Sequence, residues 1–369
     1  MFVEHILRET TDLNNDLMVL DLCAAPGGKS TLMASILSED SLLVSNEIIK
    51  SRVAVLADNM TKWGVINSVV TNNDPKDFQR LEGYFDVMVV DAPCSGSGMW
   101  RKDPETINEW SEANVQLCSQ RQQRILADAY PALNEGGLLI YSTCSYSEEE
   151  NEEITDWLCD NFDVSPVKIP ISPDWNIVET NSSRHSCYGY RFYPHKVKGE
   201  GFFASCFRKN EAETSVGNTR HKQAKLNKND LSILEKWVEP GNYLQFIPAR
   251  EGFAAIRSTH EADIALLQSK LYLKKSGVNI GKIMGKGLIP DHELALSLVI
   301  NKGILRTELS YEQAIAFLRR DEIKLDTSET GWSLMNFGGF SLGWAKILPN
   351  RINNYYPKEL RILKEIPFQ

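Results

Sequence analysis

Along the first 210 residues, apolar positions fall in short runs separated by stretches with helical spacing. Residues 19–22, 42–44, 69–70, 85–91 (FDVMVVD) and 137–142 (GLLIYS) read as five strands. The fourth is strongly apolar, β-branched and bounded by turn residues. Helical periodicity occupies 29–37, 51–63, 105–133 and 147–159, the last with Ser147 and Glu150 spaced for a capping box. This alternation predicts an α/β fold, a Rossmann-like parallel sheet with helices on both faces.

The pattern changes after residue 210. Residues 211–229 lack apolar periodicity and read as a basic linker, 230–285 as a small connecting module, and 286–369 as a compact α+β region. Near the end, TGWSLMNFGGFSLGWAKILPNRI predicts a β-hairpin turning at Gly338–Gly339.

Composition narrows the class mainly by exclusion. No apolar run approaches the roughly 20 residues of a bilayer-spanning helix, and the N-terminus has no secretory core, so a cytoplasmic location is expected. The seven cysteines are irregularly spaced and include no CxxC pair, which favours neither a disulfide framework nor a zinc or other metal site. The formal charge of −9 argues at first against a nucleic-acid partner. Its distribution alters that. Residues 145–183 hold ten acids and one base, whereas 184–228 hold ten bases and three acids, with Tyr188, Tyr190, Phe192 and Tyr193 among them. Such a stretch suits either a surface that tracks phosphates or a solvated linker.

Three motifs carry the chemistry. The first βα turn reads DLCAAPGGKST, from Asp21 to Thr31, where an open α/β sheet places its ligands. Gly27 and Gly28 permit close backbone approach, and the helix behind them offers free N–H groups. A phosphate-binding P-loop would need glycine where Cys23 stands, and no GxGxxG is present. Glu47, Asp74 and Asp91 each follow or end a predicted strand at the same edge of the sheet. Glu47 is suited to the hydroxyls of a ribose. Strand four runs into DAPCSGSGMWRKDP and strand five into YSTCSYSEEEN, so Cys94 and Cys144 lie just beyond two strand ends. Were those strands neighbours, about 4.8 Å apart, both thiols would face one small planar substrate.

These motifs, in this order, resemble the Nol/Nop/Sun family of RNA cytosine-5 methyltransferases. The segments RFYPHKVKGEGFFASCFRK and GWAKILPNRINNYYPKELRI resemble its bacterial RsmF-like branch, which acts on small-subunit ribosomal RNA. The resemblance implies a methyltransferase sheet that binds S-adenosylmethionine through Ala24, Ala25, Pro26, Gly27, Gly28, Lys29 and Ser30. It further implies Glu47 at the ribose, Asp74 beside the adenine, and Asp91 near the methionine moiety and the target base. It assigns Cys144 as nucleophile and Cys94 to resolving the methylated adduct, and it implies a PUA-like C-terminal region, where Arg351, Lys358 and Arg361 read as phosphate contacts or as ordinary surface bases. Family members carry an N-terminal RNA-binding domain that this chain, opening at MFVEHIL, is expected to lack.

Two thiols suit cytosine because its carbon 5 is a poor nucleophile until a thiolate adds to carbon 6. Chemistry alone leaves Cys94 and Cys144 interchangeable, and the proline–cysteine motif of DNA cytosine-5 methyltransferases would favour Cys94. Lys29 is either a solvated helix-start lysine or a charge that lowers a thiol pKa. Two other classes remain to be weighed: a non-catalytic RNA-binding or ribosome assembly factor that kept the fold, and an NTPase, which Cys23 disfavours.

Overall fold

The computed structural model describes residues 1–210, 226–241 and 243–364. They form two compact units: one of Met1–Asn59, Asn67–His221 and Ala262–Lys275, the other of Met60–Ile66, Lys222–Glu261 and Ser276–Gln369.

In the first unit, α1 (Phe2–Thr10) buries Val3, Ile6 and Leu7, the i, i+3, i+4 stripe of an amphipathic helix. Then come β1 (Met18–Asp21), α2 (Gly28–Ile36), β2 (Leu42–Asn46), α3 (Lys50–Trp63), β3 (Ser68–Thr71), β4 (Phe85–Asp91), α4 (Glu112–Ala129) and β5 (Leu133–Thr143). The chain continues through α5 (Glu152–Asn161), β6 (Val164–Pro166), β7 (Val178–Asn181), β8 (Tyr188–Phe192) and β9 (Phe202–Lys209). Strands β3, β2, β1, β4 and β5 are parallel in that spatial order, and β5, β9, β8 and β7 continue the sheet antiparallel. Helices cover both faces of the parallel part, so Val19, Leu20, Val44, Val70, Val89 and Ile140 are fully buried. This explains the unbroken apolar runs of the sequence. Each such side chain contributes about 1.5–3 kcal/mol. Strand order reverses between β1 and β4, which fixes the ligand crevice at the carboxyl ends of these strands and their neighbours.

Three departures from the sequence reading have physical causes. The helical stretch 105–133 is interrupted at Trp110, because the Ser111 hydroxyl accepts from the Asn114 N–H and caps α4. No capping box forms at Ser147, and α5 begins only at Glu152. Residues 262–275 belong to the first unit rather than with 230–261, since Leu273–Ser276 adds an edge strand beside β3.

The second unit contains two four-stranded sheets. One is antiparallel, of Leu244–Ala249, Gly252–Arg257, Val278–Met284 and Gly287–Pro290; the other is built of Arg306–Glu308, Gly331–Phe337, Phe340–Leu348 and Arg351–Asn354. A helix begins at Lys228, within the stretch expected to be linker, capped by Asn227. The expected hairpin turns at Gly338 and Gly339, whose φ values of 57° and 81° are those a two-residue primed turn requires. Trp344 and Leu334 pack into its core. No helix among the described residues is long and apolar enough to cross a membrane.

Candidate active site

Five strand ends and one helix start build the site. The turn after β1 is anchored from outside: Ala24 N–H donates to the Asn46 carbonyl (2.8 Å), Arg52 to the Ala25 carbonyl (2.6 Å) and Asn59 to the Pro26 carbonyl (2.8 Å). Gly27 sits at φ 112°, where a side chain would also press on Leu56. Nothing lies within 4 Å of where a Cβ on Gly28 would project. The turn is therefore rigid and open on one side, with the first N–H groups of α2 left without helical partners. Beneath it, Asp21 is fully buried and accepts from Ser30 Oγ (2.6 Å), and its Oδ1 has no partner among the described residues. Burial, opposed by the Ser30 bond and the Lys29 charge, pushes the Asp21 carboxyl up to about 7.

The register of β4 and β5 pairs Asp91 with Ser142. Ser142 Oγ donates to Asp91 Oδ1 (2.8 Å), and Lys29 Nζ to Asp91 Oδ2 (2.6 Å). Lys29 is thus not a solvated helix-start lysine; it joins the β1 turn to the end of β4. Three and two residues farther on, respectively, the chain places Cys94 Sγ 3.1 Å from Cys144 Sγ, both thiols free. The strands are adjacent, as the two-thiol reading required, and the sulfurs lie closer than the strand spacing. Sharing one proton splits them. The hydrogen bond with Cys144, together with burial, drives the Cys94 thiol well above its ordinary range. The same bond, helped by Lys29 and opposed by burial and Asp91, lowers Cys144. Cys144 is thus the more acidic sulfur of the pair.

A further group, missed in the sequence, holds the two cysteine loops. Glu150 is fully buried. Its Oε1 accepts from Ser95 N–H (2.7 Å) and Gln122 Nε2 (3.3 Å), and its Oε2 from the hydroxyls of Ser95 and Ser145 (2.5 Å each). This use of the carboxylate is why no capping box forms. In sequence Glu150 is one of five acids between 148 and 153, a pattern that reads as a solvated face; nothing in it distinguishes the buried member.

Glu47 closes β2, buried, accepting from Ile49 N–H (2.9 Å) and paired with Arg52 at 3.3 Å. Asp74 accepts from Lys76 N–H and faces Arg124 at 3.6 Å. All three strand-end acids therefore sit along one edge, and each carboxylate retains lone pairs for further donors. These residues fit a bound nucleoside sulfonium: hydroxyl acceptors, free N–H groups, an open glycine and negative charge for the cation.

The basic, aromatic stretch is less open than its composition suggests. Arg191 is buried and forks onto Glu152, and Arg184 pairs with Asp160. Arg208 donates to the Gly136 carbonyl (2.9 Å), and buried Lys209 to the Leu133 carbonyl (2.8 Å). These bases are taken up by acids of α5 and by backbone carbonyls of the described chain. His195, Lys196 and Lys198 stay exposed, beside Tyr193 stacked on Tyr146 at 5.7 Å. Arg220, Lys222 and Lys225 lie outside the described residues, while Arg351, Lys358 and Arg361 are exposed. Among the described residues no three metal-ligating side chains cluster.

Comparison with known proteins follows these elements. The family described as 16S rRNA methyltransferase RsmB/F matches residues 9–208, and that described as methyltransferase RsmF PUA domain matches 305–362. Ribosomal RNA small subunit methyltransferase F of Aeromonas salmonicida (strain A449) is 32% identical over 369 residues, covering 96% of this chain and 75% of the relative. The Aeromonas hydrophila protein of the same name is 33% identical over 362 residues, covering 94% and 74%. Among solved structures, NSun6 from Pyrococcus horikoshii with SFG is 28% identical with a TM-score of 0.47, covering 53% of this chain and 48% of that one.

Proposed function

The chain belongs to the RsmB/F family of 16S rRNA methyltransferases, and from that premise we propose that it methylates carbon 5 of a cytosine in small-subunit ribosomal RNA through a covalent bond to Cys144. The observation that carries this reading is the 3.1 Å contact between Cys94 and Cys144 beyond β4 and β5, with the Lys29–Asp91 pair linking it to the glycine turn. S-adenosylmethionine, when bound, supplies an electrophilic methyl group on a sulfonium. Ala24–Ser30 would cradle it, with Glu47 toward the ribose, Asp74 toward the adenine and Asp91 near the methionine moiety.

The Cys144 thiolate adds to carbon 6 of the cytosine, giving carbon 5 the enamine character that would let it accept the methyl group the cofactor supplies. Asp91, held on both oxygens, bonds the cytosine edge provided it or N3 carries the proton. Once Cys144 is consumed in the adduct, the strongest cause of the raised Cys94 pKa disappears. Cys94 can then lose its proton to solvent and, as thiolate, take the one on carbon 5, whose bonding pair forms the carbon 5–carbon 6 double bond. The carbon 6–sulfur bond breaks, and Cys144 leaves as thiolate. The target base must be unpaired or flipped to reach both sulfurs. Exposed Lys196, Lys198 and the Tyr146–Tyr193 stack would hold the flanking strand, and the exposed Arg351, Lys358 and Arg361 of the second unit would contact phosphates.

Transfer of tritiated methyl from S-adenosylmethionine to small ribosomal subunits and to free rRNA, followed by bisulfite sequencing, tests this. The expected result is label at one bisulfite-resistant cytosine. Label at a ribose or an exocyclic nitrogen, or no transfer to either substrate, would overturn it.

A further inference from the structure

We propose that Glu150 is a positioning residue for this reaction, a buried carboxylate that clamps the two cysteine-bearing loops from beneath and sets the distance between their sulfurs. The proposal rests on the cysteine mechanism above but can be tested without turnover. Its basis is the placement of the four donors. Ser95 directly follows Cys94 and Ser145 directly follows Cys144, and both hydroxyls bond the same oxygen, Oε2, at 2.5 Å. Ser95 N–H, on the backbone next to Cys94, bonds the other oxygen at 2.7 Å. Gln122, on α4, bonds that second oxygen and also donates to the Pro93 carbonyl (3.1 Å), so the residues on either side of Cys94 are both held. One carboxylate therefore reaches one residue past each thiol.

A carboxylate does what a neutral side chain would not. It only accepts, so both serine hydroxyls must spend their protons on it and neither can donate to the sulfurs. The proton between the thiols then comes from the thiols themselves. Its charge also acts unequally: it adds to the elevation of Cys94, behind the Cys144 bond and burial, and does not figure among the main influences on Cys144. The other titratable or charged groups around the pair are Asp91 on β4, Lys29 on α2, Tyr141 on β5 and Tyr146 beyond it. None of these side chains bonds both loops.

Two variants separate the parts of the proposal. Glu150→Gln keeps an acceptor for Ser95 N–H, and its amide can donate to the two hydroxyls, so the clamp survives without its charge. Iodoacetamide labelling read by peptide mapping should show Cys94 becoming reactive at lower pH than in the wild type, with the melting temperature little changed. Ser145→Ala removes one strut and keeps the charge. Cross-linking of Cys94 to Cys144 by diamide, an oxidant that takes up the two hydrogens, should slow by up to about 100-fold, as roughly ångström-scale misplacement implies. Mapping is needed because Cys159 and Cys187 form a second thiol pair, 3.4 Å apart, whose cross-linking should be unaffected. Turnover at saturating RNA should fall in both variants with little change in KM. An unshifted Cys94 profile in Glu150→Gln would overturn the charge effect, and wild-type cross-linking in Ser145→Ala would overturn the clamp. If Glu150→Gln does not fold, Ser145→Ala decides alone. Normal thiol behaviour in the wild type with no methylated cytosine would instead count against the reaction, leaving the clamp standing.

Discussion

Gly98→Ala is the most informative packing perturbation, because the contact it creates is on the nucleophile's own backbone. A Cβ built on Gly98 would lie 2.4 Å from the Cys144 carbonyl oxygen and 2.8 Å from that of Gly201. Ordinary contact begins at 3.4 Å, so the first must open by 3.4 − 2.4, or 1.0 Å. Neither neighbour yields easily: Gly98 N–H donates to the Cys144 carbonyl (2.7 Å) and Gly201 N–H to the Gly98 carbonyl (2.9 Å). Relieving the clash breaks one of these bonds or displaces the Cys144 loop. Overpacking of this kind costs about 1–3 kcal/mol, or roughly 2–4 °C per kcal/mol for a unit of this size. A 1 Å displacement at a reacting group costs about 100-fold in rate. Differential scanning fluorimetry and single-turnover methyl transfer read the two effects separately. A variant that melts with the wild type and turns over within twofold of it would refute the reasoning.

Other perturbations probe the remaining contacts. Gly28→Ala places its Cβ in open space, so the melting temperature should hold while S-adenosylmethionine, measured by calorimetry, binds about tenfold more weakly, or ~1.4 kcal/mol; unchanged binding would remove Gly28 from the cradle. Lys29→Met deletes a charge that lowers Cys144, so the thiolate fraction near pH 7 should drop and iodoacetamide labelling of Cys144 should shift to higher pH, with activity partly regained on alkalinisation; an unshifted profile contradicts this. In the second unit His292 is half-buried, its Nδ1 lacks a partner among the described residues, and desolvation pulls it down to about 4. Neutral when folded and protonated when unfolded below its ordinary value of 6.5, it should withdraw about 3 kcal/mol of stability as pH falls from 6.5 toward 4. His292→Phe should flatten the melting temperature over that window; an equally steep dependence would exclude His292 as its source.

How much of this was legible in the sequence differs by element. The apolar runs of β1, β2, β4 and β5 are long or β-branched enough to declare themselves, and the turns after them carry residues whose types already point to a ligand edge. Adjacency of the two thiols follows from strand order, which a right-handed α/β topology constrains strongly. The antiparallel extension through β7, β8 and β9 was hidden by its charges. Arg191 and Lys209 count as surface bases in any tally, yet both are buried, neutralised by Glu152 or held by a backbone carbonyl. Glu150 failed for the converse reason, a buried acid inside an acidic run. The edge strand Leu273–Ser276 pairs with β3 across some 200 residues of chain, and no local pattern encodes so distant a partner.

The covalent reading turns on which sulfur attacks and which releases. Cys144→Ala and Cys94→Ala, incubated with S-adenosylmethionine and small-subunit rRNA and run on denaturing gels, test that division directly. The thiolate bias of Cys144 and the proton held by Cys94 predict no transfer and no adduct for the first, and a trapped protein–RNA adduct for the second. An adduct in Cys144→Ala would exchange the two roles, and full methylation by both variants would contradict covalent catalysis at this pair.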